Sequence, residues 1–92
     1  MYKFRTTNQF ERDYSLCKKR GLNMDLIDEA MKILIEDGHL PGKYQQHKLS
    51  GKYSNCWECH IKPDWLMIWK QYDNELIMLF TNTGTHSDLF GK

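Results

Sequence analysis

Two apolar runs near the C-terminal end, residues 65–69 (WLMIW) and 76–80 (LIMLF), flank the turn-forming pair Asp73-Asn74. Each is far shorter than the roughly 20 residues that cross a membrane, yet each is nearly continuous rather than alternating. Strands of this kind have to be covered. The pair therefore reads as two central strands, residues 65–72 and 75–81, with helices over at least one face.

The covering helices lie upstream. Phe10, Tyr14 and Cys17 fall at i, i+4 and i+7 and make one apolar face. Asn8 with Glu11 reads as a capping pair at the start, and Lys18, Lys19, Arg20 and Gly21 suit the negative end and its left-handed stop. A second helix begins near Asn23, buries Met24, Ile27, Met31, Leu34 and Ile35, and closes at Gly38. Before the helices, Tyr2, Phe4 and Thr6 alternate with Lys3 and Arg5 as a short strand. After them, residues 38–55 have glycines, a proline and no sustained period, which predicts a long loop of the kind that carries function. A strand over 56–62 follows, turned by Pro63-Asp64. The order β-α-α-β-β-β predicts an α+β fold, a helix hairpin packed on a mostly antiparallel twisted sheet, in one domain of residues 1–92.

Charge separates the chain into two halves. Residues 21–37 hold Asp25, Asp28, Glu29, Glu36 and Asp37 against Lys32. Residues 38–72 hold Lys43, Lys48, Lys52, Lys62 and Lys70 against Glu58 and Asp64, together with three of the four histidines. An acidic helix beside a basic, histidine-rich half points to two surfaces with different partners. The N-terminal stretch places charges where an export signal needs its apolar core, so a cytoplasmic protein with reduced cysteines and no membrane partner is expected.

The string CWECH, residues 56–60, spells the Cys-x-x-Cys-His pattern of covalent haem attachment. Residues three apart on a strand point to opposite faces, so Cys56 and Cys59 cannot converge on a haem or, with His60, on zinc. Cys59 shares a face with Trp57 and Ile61, and Cys56 with Glu58 and His60. His47, His60 and His86 remain as a possible set of nitrogen ligands, without the helical spacing of familiar zinc enzymes. No cofactor or metal is expected.

Three blocks, HKLSG (residues 47–51), CHIKPDW (59–65) and GTHSDLF (84–90), resemble in order and spacing the signature blocks of YafQ-type toxins in the RelE/ParE superfamily. The resemblance spans essentially the whole chain. It implies a RelE-like fold and a type II toxin–antitoxin toxin, a ribosome-dependent endoribonuclease. The implied partners are a cognate antitoxin of the ribbon-helix-helix, DinJ-like kind, the ribosome and mRNA, with operator DNA reached only through the antitoxin. By residue-wise carry-over, His47, His60, Asp64 and His86 match the positions that carry family catalysis, and Trp65 and Phe90 match positions that shape the site. Relatives commonly place arginines where this chain has Trp57 and Asn82, so Lys48, Lys52 and Lys62 are the candidate phosphate contacts. The alternative is a catalytically weak module of the same fold, serving as antitoxin partner and DNA corepressor.

The chemistry fits the residue types. RNA carries its own nucleophile, the 2′-hydroxyl, and needs a base, an acid and positive charge near the phosphate, but no metal. Histidine suits both proton transfers near neutral pH. On this reading His47 is the base, His86 the acid, His60 the cation on the developing phosphorane and Asp64 the group that orients a histidine, with the base and acid labels exchangeable. Each residue also has a plainer use: His47 solvated in a loop, His60 on a sheet surface, His86 and Asp64 in turns, and Trp65 in the core.

Overall fold

The computed structural model describes residues 1–91. Its elements are β1 (Lys3–Thr6), α1 (Asn8–Lys19), α2 (Met24–Asp37), β2 (His47–Lys48), β3 (Trp57–Lys62), β4 (Trp65–Tyr72), β5 (Ile77–Gly84) and α3 (His86–Phe90). They form a three-helix, five-strand α+β fold with the sheet order β1-β5-β4-β3-β2. β1 runs parallel to β5, and the other neighbours pair antiparallel.

The apolar run of β4 is continuous because both of its faces are covered. Trp65, Met67 and Trp69 face the helix hairpin, in a core with Phe10, Ile27, Leu34, Cys59 and Phe80. Leu66 and Ile68 face the other way, beneath Cys56 and Leu89, with Leu49 and Tyr53 packed against them. The second face is thus closed by the loop before β3 and by α3. Cys56 and Cys59 lie on opposite faces, as strand geometry requires, and Cys17, Cys56 and Cys59 are all free and buried.

Several local expectations shift. Thr7, not Asn8, caps α1, its hydroxyl accepting the Phe10 N–H at 3.0 Å from an extended backbone. Ala30 takes the centre of the α2 stripe between Ile27 and Leu34, while Met31 is only partly buried; a small side chain there lets the helix approach the sheet closely. β5 starts at Ile77 because residues 73–76 form a wider turn, with Leu76 at φ +54°. The segment 38–55 is not structureless. It holds two 3₁₀ turns, Gly42–Tyr44 and Gly51–Tyr53, and the two-residue edge strand β2, which adds a fifth strand to the sheet. A strand this short escapes any periodicity argument.

Among the described residues no helix is long and apolar enough to cross a membrane.

Candidate active site

Strand register builds the site. His47 pairs with Glu58, Glu58 with Ile68, and Ile68 with Asn82, giving one row across β2, β3, β4 and β5. The next row runs from His60 through Leu66 to Gly84, just before α3. Both rows lie on the face away from the α1–α2 hairpin. The three imidazoles form a contiguous line on it. Ring centroids are 6.3 Å apart for His47 and His60 and 6.0 Å apart for His60 and His86, and Phe90 follows 6.5 Å beyond His86.

His86 is the first residue of α3. Its Nδ1 lies 2.5 Å from Asp64 Oδ1, and its backbone N–H donates to the same oxygen at 2.9 Å. Those two bonds hold the Asp64 carboxyl below its usual range, so Asp64 is ionised and Nδ1 carries the hydrogen. Nε2 is left as the atom that can give or take a proton. Behind it, α3 is fixed by a capping box between Thr85 and Asp88, and the Asp88 carboxylate takes two bonds from Arg20, at 2.6 and 3.1 Å. Gly84 precedes this turn at φ +153°, and a Cβ there would meet Asp88 Oδ2 at 2.8 Å. Only glycine lets the chain turn so tightly into α3.

His47 has both ring nitrogens engaged. Nδ1 lies 2.8 Å from the Gln45 carbonyl, which only accepts, so Nδ1 carries a hydrogen. Gln45 presents that carbonyl from a left-handed backbone at φ +52°. Nε2 lies 3.0 Å from Glu58 Oε1. Glu58 is 5% exposed, and its Oε2 has no hydrogen-bond partner among the described residues. A buried carboxylate with an orphan oxygen facing a histidine is costly unless it is used. Glu58 was not among the sequence-derived candidates. The signal was the alternation that put it beside His60, combined with an acidic residue where the strand should be apolar.

The cations divide unevenly. Lys43 and Lys62 line a groove of about 510 Å³ against His60, with Gln45 on its wall. Lys52 sits over the Tyr53 ring, which meets the Phe90 ring edge-to-face with centroids 5.6 Å apart. Lys48 does not belong with them. It pairs with Trp57 on the opposite face and lies over that indole at 5.1 Å, because neighbours on β2 alternate sides. Trp65 presents no ring to the histidine face either. It is 3% exposed on the hairpin side, with its indole N–H donated to the Thr83 hydroxyl at 3.0 Å, so it supports the β3–β4 turn from beneath. Phe90 is 40% exposed and remains available for stacking.

On the hairpin side, burial pushes the Cys59 thiol up to about 12 and raises that of Cys17. Among the described residues no three His, Cys, Asp or Glu side chains are grouped to hold a metal ion.

Residues 2–91 match the family model described as a bacterial toxin of type II toxin–antitoxin systems, YafQ. The mRNA interferase toxin YafQ of Escherichia coli K12 is 35% identical over 86 residues, which cover 92% of this chain and 91% of that protein. The crystal structure of YafQ from E. coli BL21(DE3) superposes with a TM-score of 0.91 at 32% identity, over 99% of this chain and all of the other. YafQ in the crystal structure of the E. coli DinJ–YafQ complex gives 0.90 at 33% identity, again over 99% and 100%.

Proposed function

The chain belongs to the YafQ family of bacterial type II toxin–antitoxin toxins, and from that premise we propose that it is an endoribonuclease that cuts mRNA on the ribosome by acid–base chemistry at the histidine line. The observation that carries this reading is the convergence of His47, His60 and His86 from three separate segments onto one face.

The 2′-oxygen attacks the phosphorus as its proton leaves, and the 5′-oxygen departs as it gains one. The products are a 2′,3′-cyclic phosphate and a free 5′-hydroxyl. His47 takes the 2′-proton on Nε2 once that nitrogen turns from Glu58 Oε1 to the substrate, and it turns back to Glu58 as the imidazolium. The resulting imidazolium is the state that the Gln45 carbonyl and the Glu58 carboxylate support, since both then face an N–H. His86, as imidazolium backed by Asp64, donates from Nε2 to the leaving oxygen. His60 lies between the two and, with Lys43 and Lys62, faces the charge that builds on the phosphate. Lys52 and Phe90 flank the path of the strand.

The partner is a cognate antitoxin of the ribbon-helix-helix kind, as DinJ is the partner of YafQ in the solved complex, with operator DNA contacted through it. The place of action is the cytoplasm. The weak-module alternative is not favoured, because a protein that only binds has no use for an aligned carboxylate–histidine pair.

The test is induction of the toxin alone with primer-extension mapping of mRNA ends. Growth arrest with ribosome-phased cuts bearing 5′-hydroxyls is expected, and His86→Ala should abolish both. Arrest without new ends would contradict cleavage.

A further inference from the structure

A second cavity, about 390 Å³, opens at the end of the sheet on the hairpin side. Its size lies within the roughly 300–1,000 Å³ of small-ligand pockets. Cys17, Leu22 and Trp65 make its apolar walls, and Asn23, Lys62 and Asp64 stand around them. Only Lys62 and Asp64 of its lining take part in the acid–base chemistry above.

Two features connect it with the histidine face. Lys62 lines both this cavity and the groove beside His60. Asp64, on its wall, is the carboxylate bound to His86. A strand lying along the histidines and bound through a phosphate at Lys62 is therefore carried to the cavity. Two donors at the cavity are unspent. Lys62 has no ion pair among the described residues. Asn23 uses its carbonyl oxygen to accept the Asp25 N–H at 3.1 Å, which leaves its amide hydrogens without a partner among them. An apolar slot with unspent donors beside a cation matches a flat ring that bears acceptors on its edge and a phosphate at its root.

We propose that this cavity takes a nucleobase of the mRNA, that of a nucleotide adjoining the cleaved bond. The proposal rests on the mRNA-cleavage reading and adds a base-binding subsite to it. The α1–α2 turn is then part of substrate recognition, although it carries no group that moves a proton.

The test uses ribosomes programmed with mRNA that is either intact or abasic at one position beside the cut. Loss of one base contact corresponds to roughly a 5- to 150-fold fall in cleavage. Wild type should show that fall at one flanking position. Leu22→Trp fills the cavity from the turn and should show it on intact mRNA, with no further loss on the abasic one. Asn23→Asp keeps a residue that caps α2 but replaces the donor with an acceptor, so it should change which base is preferred. Thermal midpoints of both variants close to wild type identify these losses as binding effects. Variants that cleave every mRNA as wild type does would overturn the subsite. So would cleavage unchanged with antitoxin binding weakened, which would assign the cavity to the protein partner. If wild type cleaves no mRNA at all, the underlying functional reading falls first.

Discussion

Asp64 and His86, 22 positions apart in sequence, meet at 2.5 Å between Oδ1 and Nδ1, with the His86 backbone N–H donated to the same oxygen at 2.9 Å. The carboxylate fixes both the ring and the start of the helix that carries it. Asp64→Asn keeps an acceptor but removes the charge that supports an imidazolium. Single-turnover cleavage should fall by about one to two orders of magnitude, less than the roughly 10²- to 10⁴-fold expected for His86→Ala. Equal rates for Asp64→Asn and wild type would remove Asp64 from the chemistry. Because these bonds depress the carboxyl in the folded state, their contribution to stability is complete above the ordinary aspartate range and is lost as pH falls through the folded value.

Glu58 is the buried carboxylate with an unpaired oxygen. Its replacement by an apolar side chain of similar volume eliminates that oxygen, while His47, nearly half exposed, can turn to water. Glu58→Met should therefore raise stability by about 1 kcal/mol, a shift of roughly 4–8 °C in a chain of this size, while cleavage falls. Thermal unfolding and cleavage assays on one preparation check both. Lower stability together with full activity would contradict the assignment.

Gly84→Ala meets Asp88 at 2.8–2.9 Å and imposes an unfavourable backbone at φ +153°. The variant should lose about 1–3 kcal/mol. Displacement of α3 should also uncouple His86 from Asp64, so cleavage measured well below the new midpoint should drop even for the fully folded fraction. An undiminished rate would mean that α3 is not held through this turn.

The core was largely legible in the sequence. The paired runs around Asp73-Asn74 placed β4 and β5, and the helix stripes placed Ile27 and Leu34, because burial leaves a continuous run on a covered strand and a periodic stripe on a helix. Cys56 and Cys59 were separated correctly by alternation alone. The site was legible only in its residue types. His47 needed β2, a two-residue strand with no period, to bring it into register with Glu58. The same register sends Lys48 to the far face, and a flexible lysine carries no mark of which side it takes. Lys43, which reaches the His60 groove, comes from a 3₁₀ turn that composition marks only as loop.

Asp88 joins α3 to α1 through Arg20. The Arg20 guanidinium, followed by the Thr85 backbone N–H, depresses the Asp88 carboxyl far below its usual range. A depressed carboxyl stabilises the fold above the unfolded value near pH 4 and loses that contribution as pH falls through its folded value. Arg20→Met removes the main cause of the depression. Between about pH 2 and 4 its unfolding free energy should decline less steeply than that of wild type, and at neutral pH it should be slightly lower. Parallel pH profiles for the two proteins would contradict the coupling.

The two missing arginines are not equivalent. Trp57 lies on the hairpin side, stacked on Trp69 with centroids 6.5 Å apart, so an arginine there would break an aromatic contact of the core rim and point away from the histidines. Asn82 is different: it ends the row that begins at His47 and Glu58, on the histidine face, and is only partly buried. A guanidinium there can swing toward the phosphate and offer a planar fork where the lysines offer point charges. Asn82→Arg should raise single-turnover mRNA cleavage severalfold, with the gain shrinking as salt is raised, whereas Trp57→Arg should lower the thermal midpoint without any gain in rate. A rate increase from Trp57→Arg and none from Asn82→Arg would mean that the substrate phosphate lies on the Trp57 side of the sheet.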